Sequence, residues 1–366
     1  INSINSAVGV EYKKKLSAET TSGLENILMN ETNKIKNFTN EEIAPKRTRA
    51  VSTAPHEVKL SFGGKDNKQK FENNNINRNN NVSASTIGVS LVNSNQNQTD
   101  KLAKYEIGQT LGKGAYAIVK LVTNTITQEK SAMKIYEKAK LNDNSKKKCV
   151  YREIEILKRT NHKNIARLVE VINTPKQILI IQELVNGISL REYYNREIRN
   201  QKGISEHKAN IFKKIFKQIF DAMNYLHRCY MAHRDIKLEN ILMTKEYEIK
   251  IIDFGFGMYN PENKLQSFFC GTPNYMPPEI AFKKPYVGQK ADLWSLGVLV
   301  YKMYCADFPF KGKNEKELYK AIKKGKYVFA SYTPDYIKRI VEGMIVVDPN
   351  KRLTCDDVLR SAWLRD

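Results

Sequence analysis

The chain has 366 residues, and its formal net charge is +22. This length can hold one large domain or two ordinary ones, and no apolar run is long enough to cross a bilayer. A strongly basic balance can serve nucleic acid, but the lysines are spread over the whole chain without a basic helix that carries interleaved aromatics. We therefore do not expect nucleic-acid binding as the main function.

The cysteine pattern indicates the compartment. The five cysteines are scattered and contain no C-x-x-C pair. An odd number at such spacing argues against a disulfide framework or a zinc cluster, and it indicates a reducing environment. No secretory signal is visible. We expect a cytoplasmic protein, with the nucleus as the alternative location.

Residues 1–104 differ in kind from the rest of the chain. They are rich in Asn, Lys, Ser and Thr, and residues 73–75 and 79–81 are runs of asparagine. Such a segment cannot bury enough apolar surface to offset its conformational entropy. We predict a largely disordered tail, with a domain beginning at residue 105.

Residues 105–366 read as a sheet followed by helices. Alternating apolar residues predict strands at 105–108, 117–122, 131–135, 169–172 and 178–183, with one helix at 151–160 between the third and fourth strands. After Gly187 the pattern turns mainly helical. Residues 209–227 predict a long amphipathic helix, and residues 293–304 predict a buried one.

Phosphate-binding chemistry first appears in the turn between the first two strands. Gly112 and Gly114 lie in the sequence L-G-K-G-A-Y-A-I-V, where the missing Cβ atoms let backbone amides approach phosphate oxygens. Lys134 follows in the apolar third strand. An ammonium group there is unfavourable unless it meets an anion.

The most specific signal is the sequence H-R-D-I-K-L-E-N at residues 233–240, followed by D-F-G at residues 253–255. Asp235 can accept the proton of a hydroxyl nucleophile, and Lys237 can neutralise a transferring phosphoryl group. Asn240 and Asp253 offer the hard oxygen ligands that Mg²⁺ prefers. Phosphoryl transfer requires this combination of positioning and charge neutralisation.

In these motifs the chain resembles the eukaryotic serine/threonine protein kinases, most closely the calcium/calmodulin-dependent group in its AMP-activated-type branch. The resemblance implies an α+β bilobal fold over residues 105–366. The N-lobe would span about 105–183, the hinge about 183–187 and the C-lobe about 188–366. It also implies ATP and Mg²⁺ as cofactors, and proteins with serine or threonine acceptors as substrates.

The resemblance assigns further roles to residues. Glu153 would pair with Lys134, with Glu155 as the local competitor. Backbone groups of Glu183 and Val185 would meet the adenine edge beside a polar gatekeeper, Gln182. The catalytic set is Asp235, Lys237, Lys134 and Glu153. The nucleotide-binding set is Leu111, Gly112, Gly114, Val119, Ala132, Lys134, Glu183, Val185 and Leu242, of which Val119, Ala132 and Leu242 would enclose the adenine faces.

Three structural roles also follow from the resemblance. Glu279 should form a buried pair with Arg352, and Asp292 should hold the catalytic segment through its backbone amides. His233 should lie under the aromatic residue of D-F-G and bond to backbone.

The activation segment departs from the family pattern. Phe268 stands where relatives carry a phosphorylatable threonine, and Ser267 is the nearest hydroxyl. Two outcomes remain open at this point. The segment is either ordered by Phe268 without phosphate, or a phosphate on Ser267 reaches Arg234.

Two other functional classes are weighed against an active kinase. One is a pseudokinase scaffold, which the presence of every catalytic residue disfavours. The other is a tethering or nucleic-acid-binding module whose basic tail contacts regulatory partners. Deletion of residues 1–104 separates the classes, because a tether loses its localisation whereas an enzyme keeps its turnover. For the substrate, Glu239 and Glu192 are the acidic residues that could bind an upstream arginine.

Overall fold

The structure is a computed structural model that describes residues 101–114, 116–201 and 203–365. The predicted tail therefore lies outside the described residues except for its last four positions. Residues 101–104 form a short helical segment, in which Leu102 packs against the N-lobe sheet and the Lys104 carbonyl accepts a hydrogen bond of 2.8 Å from the Thr125 amide.

The N-lobe is a five-stranded sheet in the order β1-β2-β3-β5-β4, and every neighbouring pair is antiparallel. All five predicted strands are confirmed, and they extend further than their apolar centres. The bounds are β1 (Tyr105–Lys113), β2 (Ala117–Asn124), β3 (Lys130–Glu137), β4 (Leu168–Asn173) and β5 (Gln177–Glu183).

Side-chain alternation along β3 decides which residues reach the site. Met133 is fully buried in a small cluster on one face of the sheet. Because successive side chains of a strand point to opposite faces, Ala132, Lys134 and Tyr136 share the other face. That face meets helix α1 (Asn144–Arg159).

Helix α1 begins earlier than the predicted 151–160. Its first turns are polar and carry no apolar stripe, but the Asp143 carboxylate accepts a hydrogen bond from the Ser145 amide and caps the helix. The apolar stripe at Ile154 and Leu157 then faces the core, which places Glu153 inward as well.

The C-lobe is mainly helical, as predicted. Its helices are α2 (Leu190–Glu197), α3 (Glu206–Arg228), α4 (Pro278–Ala281), α5 (Gly288–Cys305), α6 (Glu315–Lys324), α7 (Asp335–Met344) and α8 (Cys355–Leu359). Short strands complete it: β6 (Ile188–Ser189), β7 (Met231–Ala232), β8 (Ile241–Met243), β9 (Ile249–Ile251) and β10 (Met258–Tyr259). Strands β6, β8 and β9 form one sheet, and β7 pairs with β10. The predicted α+β bilobal class is confirmed.

Helices α3 and α5 form the centre of the C-lobe core. Phe212, Phe216 and Phe220 recur every fourth residue of α3, so they form one apolar stripe that packs on Tyr304 and Trp363. Helix α5 is buried over nearly its whole length.

Among the described residues, no helix combines the length and apolarity that a membrane crossing requires. All five cysteines are free thiols.

A buried ion pair links α4 to the end of the chain. The Arg352 guanidinium donates to both carboxylate oxygens of Glu279, at 2.7 and 2.8 Å, and both residues are buried. The same guanidinium donates to the carbonyls of Lys290 and Val346. The predicted pair is therefore confirmed, within a set of bonds that satisfies the buried arginine.

We predict that Glu279→Ala lowers the free energy of unfolding by about 3–5 kcal/mol, because the mutation leaves a buried guanidinium without its counter-charge. The measurement is urea denaturation of the full chain. Glu155→Ala is the matched control, since Glu155 forms an exposed pair with Arg159 on α1. Its loss should cost no more than about 0.5 kcal/mol. Equal losses in the two variants would contradict the prediction.

Candidate active site

Lys134 is the centre of a charge network between the lobes. Its ammonium donates to Glu153 Oε1 at 2.7 Å and to Asp253 Oδ1 at 2.8 Å. Tyr136 donates its hydroxyl to the other oxygen, Glu153 Oε2, at 2.6 Å. The predicted partner of Lys134 is thus Glu153, whereas Glu155 points to solvent and binds Arg159.

Electrostatics keep Lys134 and Asp253 charged. Burial alone would lower the pKa of Lys134, but the charges of Asp253 and Glu153 raise it well above the ordinary value. The Lys134 charge in turn holds the pKa of Asp253 far below its usual range. Burial and the neighbouring Glu153 raise the pKa of Tyr136, so its hydroxyl remains a donor. An ammonium group fixed in this way can bind phosphate oxygens.

Helix α5 holds the catalytic segment, residues 233–240, in place. The Asp292 carboxylate is almost fully buried, and it accepts hydrogen bonds from the amides of His233 at 2.9 Å and Arg234 at 2.7 Å. Arg234 has a φ of +64°, in the left-handed region that a non-glycine residue adopts at a cost. The two charge-assisted bonds stabilise that backbone, as predicted for Asp292.

His233 has the predicted structural role. Its Nε2 donates to the Ile252 carbonyl at 3.1 Å, and its ring lies 4.9 Å from that of Phe254 at a tilt of 54°. Its Nδ1 accepts from the Asp235 amide at 3.3 Å. The imidazole therefore fastens the catalytic segment to the residue before Asp253.

Asp235 and Lys237 converge on a hydroxyl. The Lys237 ammonium donates to Asp235 Oδ2 at 2.7 Å and to the Thr272 hydroxyl oxygen at 3.0 Å. The Thr272 hydroxyl donates to Asp235 Oδ1 at 2.8 Å. The carboxylate thus accepts a hydrogen bond from a hydroxyl group, which is the geometry that a general base requires.

The predicted Mg²⁺ ligands each keep an oxygen available. The Asn240 amide nitrogen donates to Asp235, at 2.9 Å to its carbonyl and 3.3 Å to its carboxylate, so the amide oxygen points elsewhere. Asp253 uses Oδ1 for Lys134 and the Gly255 amide, and it keeps Oδ2. No cluster of three or more His, Cys, Asp or Glu side chains placed for a metal occurs in the described part of the chain. One amide and one carboxylate fit a Mg²⁺ ion that nucleotide phosphates and water also coordinate.

The glycine turn has room for a ligand. A Cβ atom on Gly112 would meet no heavy atom within 4 Å, and one on Gly114 would meet only the Ala117 carbonyl, at 3.6 Å. Packing within the protein therefore does not require glycine at these positions. Approach of a phosphate to the backbone remains the predicted reason for them. Leu111, the residue before Gly112, is exposed.

The predicted adenine-binding residues are half-buried. Val119 on β2 lies opposite Lys134 in the sheet, and Ala132 on β3 lies opposite Gln182. Leu242 is on β8 in the C-lobe. Val119, Ala132 and Leu242 all keep some exposed surface. Their joint contact with adenine stays a prediction.

The hinge is fixed by its flanking residues. The Glu183 carboxylate accepts from the Arg167 amide at 2.8 Å and from Lys250 at 2.7 Å, so this side chain is not available for adenine. The Val185 carbonyl accepts from the Gly187 amide at 3.1 Å. A Cβ atom on Gly187 would lie 2.1 Å from the Met243 carbonyl oxygen. Only glycine allows the chain to pass so close to β8.

The activation segment packs around the Arg234 guanidinium. The guanidinium donates to the Phe256 carbonyl at 2.6 Å and to the Tyr286 hydroxyl at 3.2 Å, and it lies 5.7 Å from the centre of the Phe268 ring. Tyr286 donates its hydroxyl to the Phe268 carbonyl at 2.8 Å. Ser267 is exposed. These contacts are the ones that the first of the two outcomes predicts, and the choice between the outcomes stays a prediction.

The acidic residues considered for an upstream arginine already have partners. Glu239 Oε1 accepts from Arg191 at 2.9 Å, and Glu192 pairs with Arg196 one helical turn away. Ser189 caps helix α2 by accepting from the Glu192 amide. An arginine of the substrate would therefore compete with cations of the chain itself.

Sequence reasoning missed two residues of the site. Tyr136 stands two positions after Lys134 in β3, so the strand period alone could have placed it on the same face. Thr272 binds Asp235 from 37 positions further along the chain, and no local pattern indicates that contact.

The comparisons with known proteins agree with this geometry. The sequence model of the protein kinase domain matches residues 105–364. The chain is 34% identical to the rat serine/threonine-protein kinase SIK1 over 261 residues, which are 71% of this chain and 33% of the relative. It is 38% identical to the maternal embryonic leucine zipper kinase of Xenopus laevis over 266 residues, covering 72% and 39%.

A plant relative extends the comparison. The chain is 33% identical to the SNF1-related protein kinase catalytic subunit alpha KIN12 of Arabidopsis thaliana over 277 residues, which are 75% of this chain and 54% of the relative. The chain thus spans between about a third and about half of the length of these relatives. Their identities confirm the resemblance to the AMP-activated-type branch of the calcium/calmodulin-dependent group.

We predict that Tyr136→Phe lowers the free energy of unfolding by about 1.5–3 kcal/mol, because a buried carboxylate loses one of its two donors. Urea denaturation measures the change. Tyr151→Phe is the control, since that tyrosine is on the same helix as Glu153 and is 53% exposed. Its effect should stay within about 0.5 kcal/mol. A Tyr136 variant as stable as the control would show that the hydroxyl bond does not stabilise the network.

Proposed function

Because this chain belongs to the protein kinase domain family, we propose that it transfers the γ-phosphate of ATP to serine or threonine hydroxyls of protein substrates. The observation that carries the proposal is the Thr272 hydroxyl on Asp235 Oδ1 at 2.8 Å, with the Lys237 ammonium bonded to both. A substrate hydroxyl in the same position would have its base and its neutralising cation in place.

Each group has a role in the proposed reaction. Asp235 accepts the proton as the substrate oxygen bonds to the γ-phosphorus, and the bond from that phosphorus to the β–γ bridging oxygen breaks. Lys237 neutralises charge on the transferring group. Lys134, positioned by Glu153, binds nucleotide phosphate. A Mg²⁺ ion held by Asn240 and Asp253 would neutralise charge on the β- and γ-phosphates.

The pseudokinase alternative is disfavoured by this arrangement. A scaffold has no need for Lys134 to bridge Glu153 and Asp253 at 2.7 and 2.8 Å. The tethering alternative and the regulatory partners both concern residues 1–100, which lie outside the described residues. A tail that contacts regulatory partners and a cytoplasmic location remain proposals, and the free thiols are in keeping with a reducing compartment.

We predict that Asp235→Asn lowers the rate of peptide phosphorylation by about 10²–10⁴-fold, while the KM for ATP changes little. The carboxylate acts on the nucleophile and not on the nucleotide. The measurement is steady-state transfer of labelled phosphate from Mg-ATP to a serine peptide by the full chain. Asp335→Asn, at an exposed residue outside the site, is the control. Activity equal to that of the control would refute the assignment of Asp235.

We further propose that the chain needs no phosphate on its activation segment. In phosphate-dependent relatives the arginine before the catalytic aspartate binds that phosphate. Here the Arg234 guanidinium is enclosed by the Phe256 carbonyl, the Tyr286 hydroxyl and the Phe268 ring. The Cys270 thiol beside it is buried, and burial raises its pKa to about 11, so it adds no negative charge. The aromatic ring takes the place of the anion.

We predict that Ser267→Ala keeps most of the activity of the phosphatase-treated wild-type chain, since the exposed hydroxyl has no part in the Arg234 contacts. Phe268→Ala should reduce activity more strongly, because it removes the ring that covers the guanidinium. Peptide phosphorylation by both variants tests this, with mass spectrometry to confirm that Ser267 is unmodified. A wild-type chain that stays inactive until Ser267 is phosphorylated would decide for the other outcome.

A further inference from the structure

A lysine is buried near the acceptor site, and the proposed reaction does not use it. Lys302 lies in α5 and is 5% exposed. It is the one charged residue in the stretch between Asp292 and Asp307, which is otherwise apolar or neutral. Its ammonium makes no hydrogen bond or ion pair with any residue in the described part of the chain. Buried lysines normally have an anionic partner.

Aromatic rings take the place of that partner. The Lys302 nitrogen lies 3.5 Å from the centre of the Phe308 ring and 4.5 Å from that of Tyr194. Cation–π contacts of this kind stabilise a charged ammonium group that has left bulk water. The Lys302 nitrogen has no hydrogen-bond partner in the described residues, yet it is not among the fully enclosed polar atoms that lack one. The ammonium group is therefore part of the small exposed surface of this residue.

The surrounding charges leave Lys302 uncompensated. Two carboxylates act on it, Glu239 and Asp307, but each already binds another cation, Arg191 at 2.9 Å and Lys311 respectively. Burial and the charge of Arg191 lower the pKa of Lys302 to about 8, so the group is mostly protonated at neutral pH. The surroundings of Lys302 therefore have an excess of positive charge.

Lys302 is connected to the acceptor site through a short path of contacts. Thr272, whose hydroxyl binds Asp235, immediately precedes the 3₁₀ turn Pro273–Tyr275. The Tyr275 ring packs edge-to-face on Phe308 at 5.3 Å, and Phe308 covers Lys302. Glu239 Oε2 is also buried here, and no side chain or backbone group of the described residues bonds to it.

We propose that Lys302, flanked by the Arg191–Glu239 pair, forms a cationic subsite that selects peptides with an acidic side chain close to the acceptor residue. The proposal rests on the proposed kinase function, since it concerns the substrate of the same site. An acidic side chain would give Lys302 the counter-charge that the chain does not supply. An arginine side chain on Glu239 Oε2 is the competing occupant, and it would face the repulsion of Lys302 and Arg191.

The test is peptide binding to the full chain, measured by fluorescence anisotropy. Labelled peptides contain one serine in an alanine background, and glutamate, glutamine or arginine replaces one alanine at a time on either side of the serine. We expect one position at which glutamate binds roughly threefold to tenfold more tightly than glutamine. Lys302→Met should abolish that ratio, and Lys302→Glu should transfer the preference to arginine.

Lys316→Met is the control, because it removes a positive charge at an exposed position of α6. It should keep the ratio. A thermal melt of each variant confirms that it is folded. In the wild-type chain the ratio should also fall as the pH rises through about 8, where Lys302 loses its charge. The other charged groups that act on Lys302 are Glu239, Asp307, Arg191 and Arg199.

The proposal is overturned if the wild-type chain binds glutamate and glutamine peptides equally, if it prefers arginine, or if Lys302→Met keeps the wild-type ratio. A separate phosphorylation assay tests the proposed kinase reaction independently of the subsite. An acidic preference in binding without turnover would count against the proposed kinase reaction and would leave the subsite in place.

Discussion

The carboxylate of Asp292 is the constraint on which the site depends. It is buried in α5, and it binds the two successive amides that begin the catalytic segment. It also lies 3.1 Å from His227 Nε2 at the end of α3. One side chain thus joins the two central helices of the C-lobe to the backbone that presents Asp235. Because the helices are immobilised by the large aromatic core, the position of the base is set by the packing of the whole lobe.

A second constraint joins the lobes. Lys134 belongs to the N-lobe sheet and Asp253 to the C-lobe, and the 2.8 Å bond between them joins the two lobes. Glu153 transmits the position of α1 to the same ammonium. Helix α1 also contacts the C-lobe directly, where the Arg159 guanidinium lies 4.3 Å from the centre of the Tyr259 ring. The lysine network and this helix contact therefore both link the N-lobe to the C-lobe.

Much of this was predictable from the sequence, for reasons that differ between elements. The strand centres and the two long C-lobe helices, predicted at 209–227 and 293–304, follow from apolar periodicity, and the groups of the catalytic segment are contiguous. The ends of elements were not predictable. Helix α1 starts with six residues that show no apolar stripe, and its cap comes from one aspartate. Thr272 acts through a contact with a distant segment of the chain. Tyr136 shares a strand face with Lys134, but the pattern does not show which residues on that face bind Glu153. Lys302 was visible only as part of a buried helix, since its partners Tyr194 and Phe308 come from other parts of the chain.

The phenylalanine beside Arg234 has a consequence for the life of the protein in a cell. A phosphorylated activation segment stores a record of an upstream event, and a phosphatase can erase that record. If the Phe268 ring replaces that phosphate, as proposed, there is no such record and a phosphatase has nothing to remove. The output of such a chain would then follow how many copies exist and where they are held. Synthesis, degradation and placement would have to supply the control that a reversible modification supplies elsewhere.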